Sequence, residues 1–114
     1  MKLFLSAVVA FCSGIMLIAC SSNKGEFMLI NNADQPIRRA SIEICNQKIE
    51  VKNVPVSKRV SESYKINSDG HFVIDVEFES KKTLHKELGY VTNGFDFKHK
   101  IKITENDIEI ILQK

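Results

Sequence analysis

The sequence has little net charge and few glycines, and each shortage argues against a class of function. Sixteen basic and fourteen acidic residues leave a formal net charge of +2, without the clustered basic face that nucleic-acid binding requires. The five glycines are dispersed, so no glycine-rich phosphate loop is present. No serine lies in a strand–turn–helix elbow that would expose it as a nucleophile. We therefore predict neither an enzyme nor a nucleic-acid partner.

Histidines are also few, and their spacing argues against a metal site. His71, His85 and His99 follow one another at intervals of 14 residues, with no cysteine or acidic ligand at zinc-like spacing. Alternation places His99 on the apolar face of its strand and His85 in solvent. Metal binding, or a nucleophilic pair of Cys45 with a distant histidine, is the less favoured interpretation.

What the chain does have is an uncharged apolar segment near its start. Seventeen residues without charge, Leu3 to Ala19, follow Met1-Lys2, which is the pattern of a secretory signal peptide. A membrane-spanning helix needs about 20 apolar residues, so this segment is at the short end for spanning a bilayer. Polar residues rather than a basic cluster follow the segment. An uncleaved anchor helix is the alternative interpretation.

The end of this segment carries a specific motif. Leu17-Ile18-Ala19-Cys20 resembles the lipobox of bacterial lipoproteins: an aliphatic residue, a permissive one, a small one, then cysteine. The resemblance implies cleavage between Ala19 and Cys20, a diacylglycerol on the Cys20 thiol and an acyl chain on its amine, with no other cofactor. By resemblance to proteobacterial lipoproteins, Ser21 favours the outer membrane, and we place the domain on its periplasmic face.

These motifs divide the chain into three parts. We predict a signal peptide at 1–19, a lipidated terminus and tether at 20–25, and a folded domain at 26–114. Five small or polar tether residues reach roughly 12 Å as a flexible coil, so the domain lies close to the lipid. Cleavage removes Cys12, and lipid occupies Cys20. Cys45 is then a buried free thiol or, as the alternative, forms an intermolecular disulfide.

From Glu26 onward the apolar residues alternate with a period of two. The clearest example is His71–Glu79, as in a half-buried strand: one side has Phe72, Ile74, Val76 and Phe78, and the other has Val73, Asp75, Glu77 and Glu79. Sustained apolar spacing of 3.6 is absent, so we expect almost no helix. The segments predicted as strands are Phe27–Asn31, Ile37–Cys45, Lys48–Lys52, Val60–Ile66, His71–Glu79, Thr83–Val91, Phe95–Thr104 and Ile108–Leu112.

Turn residues separate these strands. Asp69-Gly70 is a hairpin signal in which glycine would supply a positive φ, and Asn46-Gln47 and Asn93-Gly94 mark further turns. Seven or eight short strands at this spacing predict an all-β fold, a small antiparallel β-sandwich of immunoglobulin-like or prealbumin-like type.

Three short segments add a family resemblance. Asp34-Gln35-Pro36-Ile37 leading to Ala40-Ser41-Ile42, then Asp69-Gly70-His71-Phe72, then Leu88-Gly89-Tyr90-Val91, together resemble the prealbumin-like sandwich of carboxypeptidase regulatory-like domains. The match spans most of residues 26–104, and Arg39 departs from it where that pattern prefers glycine. The resemblance implies an accessory module without catalytic residues.

Two rows of like charge lie on predicted strands and have two interpretations. The acidic row is Asp75, Glu77 and Glu79, and the basic row is Lys98, Lys100 and Lys102. The rows form a cross-strand ladder if their strands are neighbours. Otherwise the lysines are candidate contacts for an envelope partner.

The exposed or buried state of three aromatic residues is a further prediction. The Tyr90 hydroxyl is a candidate anchor for a corner of the sandwich. Phe95 and Phe97 are predicted core residues, with a contact loop at Asn93–Phe97 as the alternative.

Together these features predict a lipid-anchored cell-envelope β-sandwich. It would act by protein–protein contact as an accessory or structural subunit. The alternative is a periplasmic immunity or inhibitor lipoprotein that neutralises a toxin or a lysozyme-like enzyme.

Overall fold

The computed structural model describes residues 23–113, and this part of the chain contains eight β-strands and no helix. The predicted all-β sandwich is confirmed, and each predicted strand is present, β6 with the predicted bounds and the others with one or both ends shifted. No helix in these residues is long and apolar enough to cross a membrane. The strands are β1 Lys24–Asn31, β2 Ile37–Ile44, β3 Gln47–Val54, β4 Arg59–Lys65, β5 Gly70–Phe78, β6 Thr83–Val91, β7 Phe97–Ile103 and β8 Ile108–Gln113.

The strands form two four-stranded sheets. Sheet A has the order β4-β1-β7-β8 and sheet B the order β3-β2-β5-β6. Five of the six strand pairings are antiparallel, but β1 and β7 pair in parallel, from Gly25 opposite Phe97 to Asn31 opposite Ile103. Sheet A is therefore mixed rather than purely antiparallel. Alternation in the sequence could not reveal this, because it is the same in both directions.

The core lies between the sheets and is built from the inward residues of each strand. Phe72, Ile74 and Phe78 of β5 are 0% exposed, as predicted from their alternation. At one end of the core, the Phe27, Tyr64 and Phe72 rings have centroids 5.9–6.5 Å apart. Burying one such side chain contributes about 1.5–3 kcal/mol.

The connection between β4 and β5 is not the predicted hairpin. β4 belongs to sheet A and β5 to sheet B, so the chain crosses from one sheet to the other. Gly70 is the first residue of β5 and is not among the described residues with positive φ. The Asp69 carboxylate instead accepts a hydrogen bond from the Asn93 backbone N–H at 2.7 Å, which joins two loops.

The hairpin between β2 and β3 turns at Cys45-Asn46, one residue earlier than predicted. Both residues have positive φ, 51° and 60°, as a type I′ turn requires. Gln47 is held in β3, where its side chain bonds both backbone groups of Lys65. Cys45 is 6% exposed, and its thiol lies 3.2 Å from the Ser68 carbonyl. The prediction that Cys45 is buried is confirmed.

The first strand begins earlier than the predicted domain boundary. β1 starts at Lys24, so the chain between Cys20 and the first strand residue comprises three residues, Ser21 to Asn23, rather than the predicted tether Ser21–Gly25. Gly25 is buried and pairs with Tyr64 of β4. A Cβ atom on Gly25 would overlap the Tyr64 ring, so only glycine lets that ring lie across the strand.

The two ends of the sandwich can be named by the first strand. At the Asn23 end, Asn23 O accepts from Ile66 N at 2.9 Å, and Lys24 N donates to Asp96 Oδ1 at 2.7 Å. At the Asn31 end, the buried Asn31 amide donates to the Val54 carbonyl at 3.0 Å and to two more carbonyls. The chain therefore leads towards Cys20 from the Asn23 end.

Candidate functional site

The outward side of sheet A combines apolar and basic side chains on one surface. Alternation and register place fourteen residues there, and we call this set the sheet A outer face. It has six basic and two acidic residues, and three apolar ones. The members are Lys24, Glu26, Met28 and Ile30 of β1, Arg59, Ser61, Ser63 and Lys65 of β4, Lys98, Lys100 and Lys102 of β7, and Glu109, Ile111 and Gln113 of β8.

The predicted basic row runs along this face. Lys98 lies opposite Glu26, and the Lys98 Nζ to Glu26 Oε2 distance is 3.5 Å. Lys100 lies between Met28 on β1 and Ile111 on β8, and Ile111 is 41% exposed. Neither Lys100 nor Lys102 forms an ion pair with another residue of the described part of the chain. Two lysines without an ion pair thus border the apolar side chains of this face, and Glu109 lies opposite Lys102.

The outward side of sheet B is different, and it provides a reference surface. Val73 is its one apolar residue among the twelve that register places there. Arg39 Nη2 lies 3.6 Å from Glu77 Oε1, and His85 Nδ1 lies 2.6 Å from Asp75 Oδ1, so part of its charge is paired on the same face. The sheet B outer face consists of Arg39, Ser41, Glu43, Lys48, Glu50, Lys52, Val73, Asp75, Glu77, Thr83, His85 and Glu87.

The predicted ladder between the acidic and basic rows is wrong. The acidic row belongs to β5 and the residue after it, in sheet B, whereas the lysines belong to β7, whose neighbours are β1 and β8. The acidic residues have other partners: Asp75 contacts His85, and Glu77 contacts Arg39. Glu79 follows β5, and its N–H donates to Pro36 O.

Two exposed histidines contact carboxylates that sequence spacing did not reveal. His71 Nε2 lies 3.0 Å from Glu87 Oε1, and His85 Nδ1 lies 2.6 Å from Asp75 Oδ1. The pairing of β5 with β6 brings these residues together across 10 to 16 positions of sequence. The Asp75 hydrogen bond and charge raise the pKa of His85. Within residues 23–113, no three ligating side chains are placed to hold a metal ion.

His99 is buried on the apolar face, as predicted, but its ring lacks one hydrogen bond. It is 3% exposed, lies across Phe72 with centroids 5.1 Å apart, and stacks on Phe97 at 6.0 Å. Nδ1 has no partner among the described residues. Burial lowers the pKa of His99 below its ordinary value, so the ring is neutral in the folded domain.

We therefore expect His99 to contribute a loss of stability as the pH falls through and below about 6.5, the pKa of an unfolded histidine, whereas the raised pKa of His85 contributes in the opposite direction. The unfolded chain binds a proton there that buried His99 does not, and folding is penalised accordingly. In His99→Phe this part of the pH dependence should disappear. Urea unfolding at pH 7.5 and 5.5 measures it. An equal loss in both proteins would contradict the role of His99.

The predictions for the aromatic residues are confirmed in part. Phe97 packs half-buried against the core, but Phe95 is 62% exposed, so its assignment to the core is wrong. Phe95 precedes β7 in a loop that turns at Gly94, whose φ is 100°. That placement matches the alternative, an exposed contact loop.

Tyr90 does not anchor a buried corner. Gly89 and Tyr90 together oppose His71, an irregularity between the β5–β6 pairs Gly70–Val91 and Phe72–Leu88. Tyr90 is 56% exposed. Its hydroxyl lies 3.5 Å from Asp69 Oδ2 in the loop before β5, which makes a surface contact.

The motif with the most specific chemistry lies outside the described residues. This applies to Leu17, Ile18, Ala19 and Cys20, and also to the sorting residue Ser21. The lipid on Cys20, cleavage after Ala19 and the outer-membrane location thus stay predictions. What the structure adds is the position of Asn23, from which the chain continues towards them.

Comparison with known proteins yields a likeness of fold. No family model matches the chain, and no curated protein matches it. A solved structure, the NMR structure of a protein from Eubacterium rectale, aligns with a TM-score of 0.60 at 13% sequence identity. The alignment covers 81% of this chain and 90% of that one. At this identity the likeness shows a shared sandwich fold and nothing about activity.

Proposed function

We propose that this chain is a lipoprotein precursor. Its mature β-sandwich is held on a cell-envelope membrane through Cys20, at the periplasmic face of the outer membrane. It acts by protein–protein contact, as an accessory or structural subunit, and the contact surface is the sheet A outer face.

The observation that carries the anchor is the sequence Leu17-Ile18-Ala19-Cys20 directly after an uncharged apolar segment. The start of β1 at Lys24 is compatible with it, because the folded body begins only after three further residues. A diacylated cysteine holds a protein on a bilayer stably, at ~0.8 kcal/mol per buried methylene. Intact-mass spectrometry of protein from its native host tests the anchor. A chain that still begins at Met1, without acyl mass, would refute it.

The case for protein contact rests on the difference between the two outer faces. The sheet B outer face has one apolar residue, Val73, whereas the sheet A outer face places half-buried Met28 and Ile30 and exposed Ile111 beside Lys100 and Lys102. Exposed apolar residues bordered by charge are typical of interaction surfaces. Six basic against two acidic residues favour a partner with an acidic surface that also offers apolar contact. No residue of this proposal has a catalytic role.

Reversing two charges tests this surface. We expect the double variant Lys100→Glu and Lys102→Glu to fold normally, because both side chains face outward, with unfolding free energy changed by about 0.5 kcal/mol or less. Capture of the partner by the lipidated protein should fall about tenfold or more, since like charges would then meet across the contact. Affinity capture from native membranes, quantified by mass spectrometry, measures the effect.

The matched control reverses two lysines of the other sheet. Lys48 and Lys52 are exposed on the sheet B outer face, so Lys48→Glu with Lys52→Glu makes the same change in net charge. Equal losses from both double variants would show a general charge effect and refute the proposed surface. Capture of an envelope assembly protein would support the accessory role. Capture of a toxin or lysozyme-like enzyme would instead replace it with an inhibitor role.

A further inference from the structure

The loop between β6 and β7 presents an aromatic side chain to solvent at one end of the sandwich. Phe95 is the most exposed large apolar residue among those described, at 62%, and Tyr90 near the start of the same connection is 56% exposed. Phe95 follows Gly94, whose φ is 100°, and it is not among the residues packed in or against the core. A phenylalanine that is mostly exposed gains little from folding, and its ring is open to contact with another apolar surface.

Hydrogen bonds tie this loop to the start of the first strand. Asp96, the residue after Phe95, accepts a hydrogen bond from Lys24 N at 2.7 Å. Asn93 on the other side donates to Asp69 at 2.7 Å, and Asp69 also lies 3.5 Å from the Tyr90 hydroxyl. Phe95 is therefore fixed at the Asn23 end of the sandwich, beside the point from which the chain leads to Cys20.

The length of chain before the first strand limits how far this end can lie from the lipid. Only Ser21, Ser22 and Asn23 separate Cys20 from Lys24. Each residue spans at most about 3.6 Å when extended, so Lys24 lies within roughly 14 Å of the lipidated residue. The headgroup region of a bilayer is several ångströms deep. Loops at the Asn23 end thus lie within reach of the bilayer surface.

We propose that Phe95 inserts into the membrane interface beside the lipid anchor, with Tyr90 at headgroup level, and so orients the sandwich with its Asn23 end on the bilayer. Aromatic side chains favour this interface. The polar neighbours Asp69, Asn93 and Asp96 stay in the headgroup layer, which limits insertion to the Phe95 side chain. The occupant is a phospholipid bilayer. This inference rests on the proposed anchoring through Cys20.

The absence of tryptophan from the sequence gives a direct test. Phe95→Trp introduces one fluorophore at the loop, and Val56→Trp introduces one at the Asn31 end, where Val56 is 41% exposed in the loop after β3. Each lipidated protein, its acyl mass confirmed, is reconstituted into phosphatidylcholine vesicles with or without brominated acyl chains. We expect brominated lipid to quench most of the emission at position 95, with a blue shift, and to leave position 56 nearly unquenched.

The outcomes separate this inference from the proposed function. If acyl mass is present but position 95 is quenched no more than position 56, Phe95 does not insert and the anchor stands. If acyl mass is absent, anchoring fails and the inference fails with it. Thermal unfolding of each variant, compared with the parent, confirms that the fluorophore reports on a folded domain. A blue shift without lipid quenching would mean that protein covers Phe95, and would overturn the inference.

Discussion

Cys20→Ala should move the protein from the membrane fraction to the soluble fraction almost completely. The thiol is the predicted attachment point of two acyl chains, and each buried methylene contributes ~0.8 kcal/mol to membrane binding. One interfacial phenylalanine contributes far less, so Phe95 cannot hold the protein on the bilayer alone. The measurement is fractionation of native-host cells, followed by intact-mass analysis of both fractions.

The remaining cysteines supply controls for this prediction. Cys45→Ala should leave the protein on the membrane, because Cys45 lies buried with its thiol on the Ser68 carbonyl. It should cost only modest stability, about 1 kcal/mol for one lost hydrogen bond. Cys12→Ala, in the predicted signal peptide, should also leave fractionation unchanged. Membrane retention of Cys20→Ala with an uncut amino terminus would favour the anchor-helix interpretation.

Gly25→Ala should destabilise the domain by about 1–3 kcal/mol or more, the range for overpacking a well-packed site. The new methyl group would overlap the Tyr64 ring. That ring cannot swing away freely, because it packs against Phe27 and Phe72. Burial also raises the pKa of Tyr64, so its hydroxyl stays neutral in the core. Urea denaturation of parent and variant measures the loss.

Two further variants separate steric overlap with the Tyr64 ring from a general cost of replacing glycine by alanine. Gly70→Ala is the matched control, because its nearest neighbours would be 4.0 Å from the added Cβ and its φ is not positive. It should be neutral, or stabilising by about 0.4–1 kcal/mol through the unfolded chain. In a Tyr64→Ala background, Gly25→Ala should lose most of its effect. An undiminished effect there would show that the ring is not the cause.

Most of the strand positions and their inward faces could be predicted from the sequence. Phe72, Ile74, Val76 and Phe78 alternate with polar residues, and this alternation alone states which side is buried. The pattern is local, because each residue's own polarity determines whether it favours the buried or the exposed side. The same alternation predicts His99 on the inward face of its strand. The lipobox is also local, since an enzyme reads it as a linear motif, and no fold is needed to recognise it.

Which strands are neighbours was decided by the tertiary structure, because pairing joins residues far apart in sequence. Alternation does not say that β1 pairs in parallel with β7, or that Asp75 and Lys98 lie on different sheets. The charge rows therefore had two interpretations until the strand order removed one. Phe95 was misplaced because β7 begins two residues after it. The sheet A outer face, with Lys100 between Met28 and Ile111, draws on three strands, and only folding brings those strands side by side.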